Sequence, residues 1–144
     1  MTAGTLLHRY SANIWASEAA AAALGRFLVH RPSSCDAAAV LPAWLPWLPL
    51  RHSEDDAKVA MASLCKLLEA DSAAVFGEGS ANYPAVLGAM AAAYEAEATG
   101  EEVSARMRSL VQGWAASNGE MLKQCVAVLP QEHLKEKAQK MATA

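Results

Sequence analysis

Residues 40–50 read VLPAWLPWLPL, and this stretch contains two of the chain's four tryptophans and three of its six prolines. Its apolar residues repeat at the i, i+3, i+4, i+7 spacing of a helix that buries one face. These residues are Leu41, Trp44, Leu45 and Leu48. Pro42 and Pro46 lack an N–H and press on the carbonyl four residues back, so the helix must bend, and Pro49 ends it. The stretch predicts a short, kinked, buried helix that needs neighbouring helices to hold its shape.

A longer helix is expected before this block. Residues 15–30 favour helix and repeat apolar side chains along one face, and Arg31 and Pro32 end the pattern. Residues 1–13 show no sustained period, so we expect a disordered or loop-like N-terminus there. A turn of about five residues joins the two helices, which is a usual length for a helix–helix connection. Together they predict a first helical hairpin.

A second hairpin follows. Residues 54–69 carry an apolar stripe at helical period, opened by Ser53 as a helix cap. Residues 71–80 break this pattern and contain two glycines, and residues 82–98 carry the next stripe, with proline in the first turn. The two stripes predict two packed helices.

A third hairpin and an end piece complete the chain. Thr99 and Glu102 form a capping box at the start of a helix from residue 101, which residues 117–119 end. Residues 119–129 predict a short partner, and proline then opens a terminal helix over residues 130–142.

The first helices of the hairpins begin about 40–47 residues apart, which is the period of HEAT and armadillo repeats. Each hairpin is amphipathic and must stack on a neighbour to bury its apolar face. The sequence therefore predicts an all-α, HEAT-repeat αα-superhelix with a lysine-rich, polar terminal helix as its cap. No equivalent cap precedes the first repeat, so we expect the sequence to begin inside a longer solenoid. The expected domain covers residues 14–144, with repeats at 15–49, 54–98 and 101–129.

Composition restricts the class of protein. The net charge of −3 argues against a phosphate-binding or nucleic-acid-binding protein, which needs a clustered basic face, and weakly favours basic partners. Cys35, Cys65 and Cys125 are odd in number and far apart, which predicts reduced thiols in the cytosol or nucleus. No apolar run approaches the roughly 20 residues of a membrane span, so we expect no membrane insertion. Residues 1–31 are rich in arginine and alanine, as organelle transit peptides are, which leaves an organelle-targeted protein as a third interpretation.

The residues needed for catalysis or cofactor binding do not occur in the expected patterns. The four histidines are scattered without metal-ligand spacing. Gly77 and Gly79 are not followed by the Gly-Lys-Ser/Thr of a phosphate loop, and no serine lies in a G-x-S-x-G elbow. We therefore predict no catalytic residue, cofactor or metal, and a protein that is not an enzyme.

Candidates for protein binding are aromatic or acidic. Trp47 lies off the apolar face of its helix, so a contact role is open to it. Tyr83 and Tyr94 share the core stripe of their helix but carry hydroxyls that need a partner. Glu95 and Glu97 are expected late in that helix, and the acidic first turns of residues 54–56 and 101–102 fit either helix capping or a rim for basic peptides.

Three motifs in the first half of the chain carry a resemblance to a known family. They are the VLPAWLPWLPL run, the Glu54-Asp55-Asp56-Ala57 segment after it, and the LCKLLE segment at residues 64–69. They resemble the C-terminal HEAT repeats of the karyopherin-β (importin-β) nuclear transport receptors, most closely the importin beta-3 type. Ser17-Glu18 and Leu24-Gly25-Arg26 stand where that subfamily has similar residues in the preceding helix. The match departs at Pro46, where a small polar residue is expected, and in the alanine-rich first helix.

The resemblance implies a receptor that carries basic cargo through the nuclear pore, contacts nucleoporins, releases cargo when Ran-GTP binds, and shuttles between cytoplasm and nucleus. It also places the main Ran contacts upstream of this segment, whose own role is then structural and cargo-facing. The inner helices, at about 37–48, 82–98 and 119–129, are the expected cargo surface. The alternative is a generic HEAT-repeat adaptor or scaffold that binds a protein partner with no Ran-linked cycle.

Overall fold

The computed structural model describes residues 3–30 and 36–143, and it describes side chains from residue 16 onward. These residues form six α-helices and no strand, which confirms the predicted all-α class. The helices are α1 (Ala3–His30), α2 (Ala37–Trp44), α3 (Glu54–Phe76), α4 (Tyr83–Ala93), α5 (Glu101–Ala127) and α6 (Glu132–Thr143). Two short 3₁₀ turns, Leu45–Trp47 and Glu78–Ser80, follow α2 and α3.

The N-terminal helix is longer than expected. Helix α1 begins at Ala3, so the prediction of a loop over residues 1–13 is wrong for residues 3–13. Gly4, Thr5 and Ser11 are the poorer helix formers in this stretch, but each costs about 1 kcal/mol or less inside a helix. Alanine and leucine around them favour helix strongly enough to outweigh that cost.

The proline-tryptophan block is helical and buried on the predicted face, but its α-helix is shorter than the predicted one, which reached Leu48. Helix α2 ends at Trp44, and the chain tightens into the 3₁₀ turn at Pro46, before Leu48 adopts an extended conformation. All four residues of the predicted apolar face are buried: Leu41, Trp44, Leu45 and Leu48. Trp47, off that face, is 42% exposed. The local pattern was therefore sufficient to assign the buried and exposed sides of this block.

The helices pack in two rows. Helix α1 packs against α3 and α3 against α5, while the 3₁₀ turn after α2 packs against α4 and α4 against α6. Apolar side chains from both rows form the core, among them Met61, Leu64, Leu87, Met90 and Met107. Each first-row helix therefore has a second-row neighbour, and α6 also packs on α5.

Two helices are interrupted by a single residue. Asp71 in α3 and Asn118 in α5 have non-helical backbone angles. In each case the side chain accepts a hydrogen bond from the N–H three residues later, from Ala74 at 3.1 Å and from Met121 at 3.2 Å. This is the geometry of a helix N-cap, so each residue ends one helical segment and starts the next.

These interruptions refine the predicted breaks. The break near residues 117–119 is confirmed at Asn118, although residues 119–127 continue as part of α5. The break over residues 71–80 is confirmed at Asp71, but the chain is helical again until Phe76. The predicted break was too long because positive φ angles begin only at Gly77 and are found, within this range, at Gly77, Gly79 and Ser80.

The end of α4 and the start of α5 also differ from expectation. Helix α4 ends at Ala93 instead of Ala98, because Tyr94 is extended and Glu95 has a φ of 61°. The N-cap of α5 is Gly100, with a φ of 82° and no side-chain cap bond, so the predicted cap at Thr99 is wrong. Thr99 is buried instead. Glu95 and Glu97 therefore lie in the turn between α4 and α5, not in a helix.

Candidate protein-binding site

An acidic concavity lies at the turn between α4 and α5. It has a volume of about 400 Å³ and is lined by Glu95, Ala96, Glu97, Gly100, Glu101, Ser104 and Arg108. We call it the acidic pocket. Three carboxylates and one guanidinium contribute to its lining, so its charged side chains favour a cation.

The turn is held in place by bonds from two other helices. The backbone N–H of Glu95 donates to the Oγ of Ser104 at 3.1 Å, and Ser104 is fully buried at the start of α5. Lys137 of α6 donates from Nζ to the carbonyl oxygen of Tyr94 at 3.0 Å. These bonds satisfy backbone groups that the end of α4 leaves unpaired. They also hold the backbone of the turn in place at Tyr94 and Glu95.

The carboxylates of the pocket differ in their partners. The Nζ of Lys140 lies 2.8 Å from Oε1 of Glu95, and this hydrogen bond lowers the pKa of Glu95. The guanidinium of Arg108 lies 3.5 Å from Oε1 of Glu101, a long and exposed contact. Within the described residues, Glu97 has no ion-pair partner. Glu97 and Glu101 are therefore the carboxylates most open to an external cation.

The two candidate tyrosines lie in the core. Tyr94 is 1% exposed, and its hydroxyl accepts a hydrogen bond of 2.8 Å from Nη1 of Arg108, so its expected partner is internal. Tyr83 is 4% exposed and stacks on Phe76 with ring centroids 4.2 Å apart. Burial raises the pKa of Tyr83 to about 12. Both tyrosines follow the apolar stripe of their helix into the core. Their side chains are therefore too buried for the contact with a protein partner that the sequence suggested.

Trp47 is exposed but belongs to a different concavity. It lines an apolar groove of about 340 Å³ between α1 and α2, together with Ala20, Leu24, Ala43 and Trp44. The acidic pocket shares none of these residues. The structure therefore brings Glu95 and Glu97 together but does not join Trp47 to them.

Sequence reasoning missed part of the acidic pocket. Glu101 was noted only as an acidic residue of a first helical turn, and Ser104 and Arg108 were not considered. Ser104 and Arg108 follow Glu101 by three and seven residues, so all three lie on the same side of α5. This helical spacing is the one sequence signal that could have grouped them.

Comparison with known families adds no assignment, since no protein-family model matches the chain. Within residues 3–30 and 36–143, no helix is long and apolar enough to cross a membrane. The same residues contain no group of three or more side chains able to hold a metal ion.

Proposed function

We propose that this chain is the C-terminal segment of a HEAT-repeat nuclear import receptor of the karyopherin-β kind, and that the acidic pocket contacts basic cargo. The single observation that carries the cargo contact is the unpaired Glu97 in the turn beside the weakly paired Glu101 at the start of α5, where Ser104 and Lys137 bond to the backbone of the turn. The two rows of packed helices support a stack of helical hairpins, as HEAT repeats require. The burial of the proline-tryptophan block supports the resemblance on which the receptor assignment rests.

The pocket suits a lysine or arginine side chain. An incoming cation meets the carboxylates of Glu97 and Glu101, while Lys140 already neutralises Glu95. Exposed pairs of this type contribute about 0–1 kcal/mol each, so one pocket supplies only part of the affinity for a large cargo. Binding should weaken as salt is added, because ions screen exposed charges beyond about 8–10 Å.

In the proposed cycle the receptor shuttles between cytoplasm and nucleus and contacts nucleoporins. It releases its cargo when Ran-GTP binds to repeats outside this segment. The segment closes the end of the superhelix and catalyses nothing. It uses no cofactor, and it binds no nucleic acid itself.

Charge reversal tests the cargo contact. Binding of a fluorescent arginine- and lysine-rich peptide to the 144-residue chain is measured for the wild type and for E97K/E101K. We expect at least a threefold loss of affinity, in line with about 0.7 kcal/mol for two exposed pairs. The control E78K/E136K reverses two carboxylates outside the pocket and changes the net charge equally. An equal loss of affinity in both variants would show that only the overall charge matters and would refute the contact.

A separate measurement distinguishes the receptor from the adaptor. An antibody raised against residues 54–144 is used on a whole-cell extract. A band several times heavier than 15.2 kDa supports a transport receptor that carries further repeats. A band at that mass favours a free-standing adaptor without a Ran-linked cycle.

A further inference from the structure

A second concavity lies between α1 and α3, and its ionisable lining residues are basic. It has a volume of about 150 Å³. Its polar lining comes from Arg26 and His30 of α1 and from Ser63 and Lys66 of α3, and Val29 and Val59 supply apolar wall. We call it the basic pocket. None of its lining residues belongs to the acidic pocket.

The basic pocket is built on a close contact between the two helices. A Cβ placed on Gly25 would lie 3.1 Å from Cβ of Ser63, so the hydrogen of Gly25 allows the two backbones to approach there. Arg26 and His30 follow at i and i+4 spacing, and Ser63 and Lys66 at i and i+3, so each pair shares one helix face. The close contact therefore holds both faces in a fixed relative position.

The arginine and lysine of this pocket lack the ion-pair partners that several other cations in the chain have. Arg106, Arg108 and Lys140 each lie within ion-pair distance of a carboxylate. Within the described residues, no carboxylate pairs with Arg26, His30 or Lys66.

The acidic residue one turn beyond Lys66 on α3 is already engaged. This residue, Glu69, accepts a hydrogen bond from Nε of Arg106 at 3.1 Å. Lys66 still acts on Glu69 from a longer distance, since its charge helps to lower the pKa of Glu69. Among the residues that the structure describes, no carboxylate lies within ion-pair distance of Arg26 or Lys66.

We propose that the basic pocket binds a phosphate dianion, either as inorganic phosphate or as the phosphorylated side chain of a partner protein. Arg26 offers planar N–H donors suited to a phosphate, Lys66 offers a point charge, and the buried Ser63 offers a hydroxyl in the pocket lining. The volume fits a group of this size and is well below the roughly 300 Å³ at which pockets for drug-sized ligands begin. This site lies outside the proposed cargo contact and does not depend on it.

The net charge argued against phosphate binding, because such a protein needs a clustered basic face. The cluster forms only in three dimensions, from residues on two different helices. The net charge of −3 therefore hides a local basic site.

The test is a nuclear magnetic resonance titration of the ¹⁵N-labelled 144-residue chain with sodium phosphate at constant ionic strength. We expect saturable shifts of the amide signals of Val29, His30, Ala62 and Ser63, and a single dissociation constant. The variant R26Q/K66Q should weaken binding by about tenfold or more, because two charged donors are lost. Circular dichroism and thermal melting check that the variant remains folded.

The matched control is R51Q/K123Q, which removes two exposed cations from outside the pocket. It should change the affinity by less than about twofold, as expected for distant screened charges. Shifts that do not saturate, or equal weakening in both variants, would show only a general response to anions and overturn the proposal.

A phosphoserine peptide and its unphosphorylated form distinguish the two sources of the phosphate. Tighter binding of the phosphopeptide at the same amides, sensitive to R26Q/K66Q, assigns the site to a phosphorylated partner. Binding of inorganic phosphate alone assigns it to the free anion. Failure of both probes to bind refutes the site but leaves the cargo contact of the acidic pocket untouched.

Discussion

The indole Nε1–H of Trp44 donates a hydrogen bond of 2.9 Å to the carbonyl oxygen of Ala21, and both residues are buried. This bond joins the proline-tryptophan block to α1. It also lays the indole against Gly25, where an added Cβ would lie only 2.8 Å from Cζ2 of Trp44. The block is therefore held against α1 by a directional bond and by a backbone position that lacks a side chain.

Substitution of Gly25 tests this packing. In an open helix, Gly→Ala stabilises by about 1 kcal/mol. At Gly25 the new methyl group collides with the rigid ring of Trp44 and crowds Ser63, and overpacking of this kind costs about 1–3 kcal/mol. We expect G25A to lower the free energy of unfolding in urea by about 1–2 kcal/mol.

Gly113 provides the matched control, because it also lies inside a helix but an added Cβ there would have no neighbouring atom within 4 Å. G113A should raise the free energy of unfolding by up to about 1 kcal/mol. If both variants change the free energy of unfolding in the same direction, the close contact at Gly25 does not determine the effect of G25A.

Glu18 forms hydrogen bonds with the segment that connects the proline-tryptophan block to α3. It is 3% exposed, and its carboxylate accepts hydrogen bonds from the backbone N–H groups of Arg51, His52 and Ser53 at 3.0–3.2 Å. We expect E18A to lower the free energy of unfolding by about 2–3 kcal/mol, because three backbone N–H donors in part-buried bonds lose a charged acceptor. E120A, at an exposed position without an ion pair among the described residues, should change it by less than about 0.5 kcal/mol.

The same carboxylate makes stability depend on pH. Burial alone would raise the pKa of Glu18, but the hydrogen bonds from the side chain and backbone of His52 and from Ser53 and Arg51 lower it overall. A lowered pKa in the folded state means that the unfolded chain binds the proton more readily, so this stabilisation is present above the unfolded pKa and is lost as pH falls through the folded value.

Urea unfolding at a series of pH values checks this dependence. The wild type should lose stability as pH falls below about 4, and the loss should be smaller in E18A. Other carboxylates with lowered pKa values, Glu69 and Glu95, contribute the loss that remains. An identical pH dependence in both proteins would contradict the role of Glu18.

Thiol reactivity provides a fourth prediction. Cys65 is fully buried, and burial raises its pKa to about 12. Cys125 is also buried, which raises its pKa too. Because the thiolate is the reactive form, neither thiol should react with a disulfide reagent at about pH 8 while the chain is folded.

Cys35 lies outside the described residues, so the measurement uses a C35S background. We expect almost no labelling over minutes in buffer and labelling of both Cys65 and Cys125 in denaturant. Rapid labelling of either thiol in buffer would show that its part of the core opens easily.

Asn118 provides a fifth prediction, because it caps the second half of α5. Its Oδ1 accepts the N–H of Met121, so N118A should lower the free energy of unfolding by about 0.5–2 kcal/mol. N118D keeps an acceptor at that position and should remain close to the wild type. Q124A, at an exposed position later in α5, serves as the control and should be nearly neutral.

Features that depend on neighbouring residues in the sequence were predicted well. The apolar spacing in residues 40–50 correctly separated the buried Trp44 from the exposed Trp47. The cap at Ser53 is also confirmed, since its side chain accepts the N–H of Asp56 at 3.3 Å. Periodicity and capping are properties of adjacent turns, so a sequence pattern contains the information needed to predict them.

The candidate site was predicted less well. The periodic stripe placed Glu95 in a helix, but Ser104 of α5 and Lys137 of α6 bond to the chain at Tyr94 and Glu95 and hold it in a turn. Those partners are distant in sequence, so no local pattern contains them. The hydrogen-bond partner of the Tyr94 hydroxyl, Arg108, is also distant in sequence, so the pattern around Tyr94 did not predict an internal partner.

The sequence by itself determined the all-helical class, the apolar faces of the helices and the breaks at Pro49, Asp71 and Asn118. These features follow from the backbone and side-chain preferences of residues within one or two turns of each other. Only the tertiary structure decided where α4 ends and which charged residues meet. The acidic and basic pockets each combine side chains from different elements, and such groupings depend on how the helices pack rather than on their order in the chain.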